Sequence, residues 1–132
     1  LLDFISSKKI PMALVSSSSS SSYKIKSQHH NWLDIFKVKI LGDDEELYEG
    51  KPFPDPYLLA AKRLSVEPKM TWAIEDSVSG MTSALRAGCK VWWLNKGKSI
   101  EPQVSNETIN YGINIFPIKN LAEIKAKLTL LI

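Results

Sequence analysis

Apolar residues along this chain follow two spacings. Pro11-Met-Ala-Leu-Val15, Val38 to Leu41, Thr71 to Glu75, Val91 to Leu94 and Ile113 to Phe116 are short, nearly continuous apolar runs. Runs of that length between polar punctuation predict buried strands. Between them the apolar positions fall three and four apart, which predicts helices. Residues 1–9 read as the end of one helix, and residues 19–30 as a second, followed by a turn over residues 31–36. Asp55 to Leu64 is a third, with Pro56 in the first turn where proline is tolerated. Ser77 to Ala87 is a fourth, closed by Gly88, and Asn120 caps a last helix whose Leu121, Ile124 and Leu128 share one face. The serines at 16–22 have the composition of a linker, an unusual thing between an apolar strand and an amphipathic segment. Short strands alternating with helices predict an α/β fold: a parallel sheet with helices on both faces. No internal repeat is visible. Such folds carry chemistry in the loops at the carboxyl ends of their strands.

Composition narrows the class. The chain has 132 residues, 44% of them hydrophobic and 23% charged, which suits one folded domain and excludes a disordered chain. Its apolar stretches are far shorter than the roughly 20 residues that a bilayer span needs. Cys89 is the only cysteine, which excludes an internal disulfide framework and a cysteine-based zinc site. With nothing resembling a signal peptide, a cytoplasmic protein is expected, with no membrane partner. The net charge of +3 invites a nucleic-acid reading, but the basic residues are spread along the chain instead of clustered with aromatics, so none is expected. His29-His30 has no third ligand near it in sequence and reads as a polar helix face. Of Trp92-Trp93, one ring is expected in the core and the other over a face.

Three strand ends hold candidate chemistry. Ser16, followed by Ser17 and Ser18, closes the first strand. A hydroxyl there can bind an anion together with backbone N–H groups, although a serine in that place equally caps the next helix. Gly50-Lys51-Pro-Phe-Pro-Asp55-Pro56 holds a lysine between residues of fixed backbone, suited to a phosphate or carboxylate, or simply a stiff loop that starts a helix. Glu75-Asp76 puts adjacent carboxylates at the end of the third strand, just before Ser77. Adjacent acids repel unless a cation neutralises them, and oxygen ligands suit Mg²⁺. Ser77 by itself reads better as a helix cap.

In this order, Val15-Ser16-Ser17-Ser18, Lys51-Pro-Phe-Pro-Asp55 and Ile74-Glu75-Asp76-Ser77-Val-Ser-Gly80 resemble the second, third and fourth motifs of the haloacid dehalogenase superfamily, in the branch of β-phosphoglucomutase and sugar-phosphate phosphatases. The resemblance implies a Rossmann-like core. It makes Ser16 the phosphoryl-binding hydroxyl, with Ser17 and Ser18 also binding the phosphate, and Lys51 the lysine that neutralises phosphate and nucleophile. Asp76 becomes a Mg²⁺ ligand, with Glu75 binding the metal directly or through water. Asp55 orients the lysine loop, Ser77 belongs to the same turn, and Gly80 lets the next helix pack closely.

The family's first motif, Asp-x-Asp-Gly, which supplies the aspartate nucleophile and a general acid and base, has no match here, and neither does the mobile cap domain. Asp43-Asp44 is the nearest acid pair but follows the wrong strand. The resemblance therefore implies that residues 1–132 are a partial core, entered after its nucleophile strand, and that this fragment is inactive alone. For the intact protein it implies Mg²⁺-dependent hydrolysis of a small phosphorylated metabolite such as a sugar phosphate, through an aspartyl-phosphate. A phosphomutase on the same core, and a non-catalytic remnant that binds without turnover, are the alternatives.

Overall fold

The computed structural model describes residues 1–96 and 114–132. In chain order the elements are α1 (Leu2–Ser7), β1 (Ala13–Val15), α2 (Ser20–Ser27), β2 (Val38–Ile40), α3 (Asp55–Leu64), β3 (Trp72–Glu75), α4 (Val78–Arg86), β4 (Lys90–Leu94), β5 (Ile115–Ile118) and α5 (Leu121–Leu131). Single 3₁₀ turns over Asn31–Ile35 and Pro68–Met70 complete the described path.

Local chemistry explains most boundaries. The serine run is structural: Ser19 caps α2 by accepting from the Ser22 N–H at 3.2 Å, and Ser20 to Ser22 form its first turn. A hydroxyl that accepts an orphan N–H stabilises a helix start, so polyserine can carry a helix here. Ser77 does the same for α4 through Gly80 N–H, and Asn120 for α5 through Ala122 N–H. Gly88 follows α4 at φ +93°, a left-handed conformation that a side chain would strain. The fifth strand was expected over Ile113 to Phe116 and instead covers Ile115–Ile118, while Ile113 lies outside the described residues. Pro117 lies within the strand because β5 is the last strand of its sheet, where a missing N–H costs no ladder bond.

All strand pairs are parallel, in two groups. β1 pairs β2 with Ala13 opposite Val38 and Val15 opposite Ile40. β3, β4 and β5 form the other group, with Glu75 opposite Trp93 and Trp92 opposite Phe116. Between β4 and the helices packed on it lies a core of Tyr57, Ala73, Met81, Ala84, Leu85, Cys89, Val91 and Trp93. On the other side Trp92 packs with Ile118 and Ile124. The two tryptophans lie on opposite faces of the sheet, because consecutive strand residues face opposite ways, and both are buried, because helices cover both faces. The Trp92 ring is flanked by Trp72 and Phe116 at centroid distances of 4.8 and 4.9 Å.

Among the described residues, strand β1 has a partner on one edge only, and so does β3. The two open edges flank an apolar groove of about 460 Å³, bordered by Ala13, Val15, Ala73 and Ile74 and floored in part by Ile5 and Ile124. None of the described helices is long and apolar enough to cross a membrane.

Candidate functional site

The carboxyl ends of β1 and β3 meet at one rim, and Lys51 joins them. Its ammonium donates to the Val15 carbonyl at 3.2 Å and to Glu75 Oε1 at 2.5 Å. The Lys51 and Glu75 side chains are only 11% and 8% exposed, so this is an ion pair largely removed from water. The Tyr57 hydroxyl donates to the same Glu75 oxygen, and the Tyr57 ring lies 5.5 Å from the ammonium. The other carboxylate oxygen, Oε2, packs against Gly80, where a Cβ would fall on the carboxyl group. Burial first, and then the adjacent Glu75 charge, push the Tyr57 hydroxyl's pKa well above its ordinary value, so it stays a donor.

The lysine loop is held from α4. Ser83 Oγ donates to the Phe53 carbonyl at 2.5 Å and Arg86 to the Pro52 carbonyl at 3.1 Å. The Lys51–Pro52 peptide is cis. Helix α3 starts at once from this loop, with Tyr57 and Leu58 N–H both donating to the Pro54 carbonyl. Asp55 is thus the first residue of α3.

Across the rim, the Ser16 N–H donates to the Ile40 carbonyl at 2.9 Å, which extends the β1–β2 ladder by one bond. Its hydroxyl accepts from Ser18 N–H at 3.2 Å. Ser16, Ser17, Gly42, Gly50 and Lys51 line a cavity of about 150 Å³. That brings the predicted hydroxyl and the predicted lysine to one small concave space from positions 35 residues apart. Ser18 faces another partner, accepting from Lys26 Nζ at 3.1 Å. The first turn of α2 is closed by the protein's own carboxylate: Asp43 Oδ1 accepts from both N–H and hydroxyl of Ser20, each at 2.8 Å. Those bonds hold the Asp43 carboxyl below its usual range. Asp44 is similarly engaged, bidentate on Arg63 at 2.6 and 2.8 Å, so the acidic loop is fastened to α2 and α3.

Of the predicted acid pair, Glu75 points inward onto Lys51 and Tyr57, whereas Asp76 is exposed at the rim. Among the described residues no group of three His, Cys, Asp or Glu side chains could enclose a metal, and His29 and His30 join none. Of the two acids expected to hold Mg²⁺, Glu75 is engaged by Lys51 and Tyr57 and Asp76 is the exposed one, so these side chains alone would not complete such a site. Mg²⁺ takes few protein carboxylates but needs more oxygens than one residue supplies. Sequence reading missed Tyr57. An aromatic hydroxyl on a core-facing helix position needs a partner, and that requirement was the available signal.

A parallel α/β core with a hydroxyl, a lysine and an acid on one carboxyl-end rim has the layout of a phosphoryl-handling enzyme fold. The haloacid dehalogenase-like hydrolase family model matches residues 1–94, and the chain belongs to that family. It is 46% identical over 83 residues to the bifunctional riboflavin kinase/FMN phosphatase of Arabidopsis thaliana, covering 62% of this chain and 21% of that protein. It is 35% identical over 104 residues to the phosphorylated carbohydrates phosphatase of Thermotoga maritima, covering 75% and 47%. Among solved structures, a HAD family hydrolase from Deinococcus radiodurans with bound phosphate and sodium matches at a TM-score of 0.75 and 26% identity, over 96% of this chain and 55% of that one. The chain thus spans about half the length of such relatives, or less.

Proposed function

We propose that the intact protein is a cytoplasmic, Mg²⁺-dependent phosphatase of a small phosphorylated metabolite, with a sugar phosphate as the preferred class. The observation that carries this reading is that Ser16 and Lys51 line one small cavity at the carboxyl end of β1, next to an open groove between two parallel half-sheets, with Asp76 following directly on the end of β3. An open edge on each side of an apolar groove is a liability in a finished sheet and suits one further parallel strand. We assign that place to a strand absent from residues 1–132, carrying the aspartate nucleophile at its carboxyl end, with a cap domain beyond it.

In this reading the missing first aspartate attacks phosphorus as the ester oxygen leaves with a proton from the motif's second aspartate, which then takes a proton from the water that hydrolyses the aspartyl-phosphate. The residues of this chain bind and neutralise. Ser16, with the Ser17 backbone, donates to phosphoryl oxygens, and Lys51 offsets charge on the phosphoryl group. Most catalysis of phosphoryl transfer is such positioning and charge stabilisation. Asp76, joined by the strand's carboxylate, would hold Mg²⁺, which when bound adds positive charge at the phosphate. Glu75 serves the lysine in preference to the metal.

Reading the coding sequence upstream of Leu1 and assaying p-nitrophenyl phosphate with and without Mg²⁺ test the proposal. Residues 1–132 alone should be inactive. The upstream-extended protein should turn the substrate over only with Mg²⁺ and lose activity on Asp76→Ala. An extended protein lacking an Asp-x-Asp motif and any turnover overturns it.

A further inference from the structure

The lysine at the rim has a support that no motif marks. Lys51 has four carbons of free rotation, and a flexible ammonium placed loosely beside a phosphate forfeits much of its electrostatic value. Here three groups fix it: the Val15 carbonyl, Glu75 Oε1 and the face of the Tyr57 ring. Tyr57 is the only one of the three that touches both members of the ion pair, with its ring beneath the ammonium and its hydroxyl on the carboxylate oxygen. It is 7% exposed and belongs to the main core with Ala73, Met81 and Val91, so its position is set by the fold. A cation within about 6 Å of an aromatic centroid is attracted by the ring's negative face.

The shared oxygen matters chemically. Two donors on Glu75 Oε1 divide its negative charge, so the Tyr57 hydroxyl reduces the hold of Glu75 on Lys51. Without that hydroxyl, the carboxylate would turn wholly to the lysine and keep the ammonium from an incoming anion. Gly80 contributes by leaving room for the whole carboxyl group against α4, since a Cβ there would fall on both of its oxygens.

We propose that Tyr57 is a positioning residue for the anion site: its ring seats the Lys51 ammonium and its hydroxyl tempers the Glu75 carboxylate, so that the lysine stays available to phosphate. This rests on the reading of Lys51 as the phosphate-binding lysine, and the test separates the two claims.

Inorganic phosphate is titrated into the protein at its full encoded length and followed by ³¹P NMR, without metal. Tyr57→Phe keeps the ring and removes the hydroxyl, and should weaken phosphate about three- to tenfold, the scale of one hydrogen bond. Tyr57→Leu removes both contacts and should weaken it further. In a Lys51→Ala background Tyr57→Phe should change nothing more, because the group it acts through is gone. A purely structural tyrosine would instead weaken binding equally in both backgrounds. Unaltered affinity in Tyr57→Phe, or full additivity with Lys51→Ala, overturns the proposal. Parent-like affinity in Lys51→Ala overturns the phosphate reading of the lysine. If Tyr57→Leu fails to fold, acylation of Lys51 by an N-hydroxysuccinimide ester in Tyr57→Phe, read by mass spectrometry, gives the second measure. The rate should fall severalfold as Glu75 tightens on the ammonium, and an unchanged rate overturns the proposal.

Discussion

Replacing Glu75 with alanine should be among the most destabilising single changes this chain can suffer. The substitution leaves the Lys51 ammonium, 11% exposed, with the Val15 carbonyl but no counter-charge. It also strips the buried Tyr57 hydroxyl of its acceptor. Breaking a buried ion pair by removing one partner costs about 3–5 kcal/mol. The orphaned hydroxyl alone is worth about 1–3 kcal/mol, part of which overlaps with the first figure. A total near 4 kcal/mol is expected. With a urea m-value of about 2 kcal/mol/M for a protein of this size, the denaturation midpoint should fall by about 2 M. The double change Lys51→Met with Glu75→Gln removes both charges and keeps an acceptor for Tyr57. It should cost far less than Glu75→Ala, since a buried ion pair contributes little net stability over a neutral replacement. Urea unfolding followed by tryptophan fluorescence reads all the midpoints. A Glu75→Ala protein within 1 kcal/mol of the parent, or a double variant as unstable as the two single changes added, refutes the reasoning.

Further outcomes follow from the same geometry. Gly80→Ala should destabilise by about 1–3 kcal/mol, the cost of overpacking, because its Cβ would displace the Glu75 carboxyl; a parent-like thermal melt contradicts this. Arg63→Met removes the cation that holds the Asp44 and Glu46 carboxyls below their ordinary values. Depressed acid pKa values stabilise the fold above the unfolded values and lose that contribution as pH falls through the folded ones. The parent should therefore exceed Arg63→Met in stability near neutrality, and the gap should close below about pH 3.8, as measured by denaturation across pH. Burial pushes the Cys89 thiol up to about 11, so Ellman's reagent at pH 8 should modify it only after unfolding. Prompt labelling of the native protein would contradict its placement in the core.

Much of the architecture is legible in the sequence because each element carries its own signal. The α3 boundaries are readable from Asp55-Pro56 at the start and the change of pattern after Leu64, and the capping roles of Ser77 and Asn120 from side-chain chemistry. Strand β5 was misplaced by two residues because whether Pro117 is tolerated depends on its strand being at an edge, which is a tertiary fact. The site was legible to the same depth. Spacing and strand-end position single out Ser16, Lys51 and Asp76 as candidates, and the fold brings Ser16 and Lys51 to one cavity. The orientation of Glu75 does not, because it is decided by Tyr57, 18 residues earlier, by Lys51 and by the missing side chain at Gly80. Asp43 and Asp44 are already set aside by following the wrong strand, and packing shows what they do instead, binding Ser20 and Arg63.

The central claim is that Lys51, seated between β1 and β3, acts on a phosphoryl group once the groove is filled. The most direct measurement is Mg²⁺-dependent turnover of p-nitrophenyl phosphate by the upstream-extended protein with Lys51→Ala. Removing one preorganised positive donor should lower kcat by at least about a hundredfold. An extended Lys51→Ala protein that is folded and turns over at the parent rate would contradict the account.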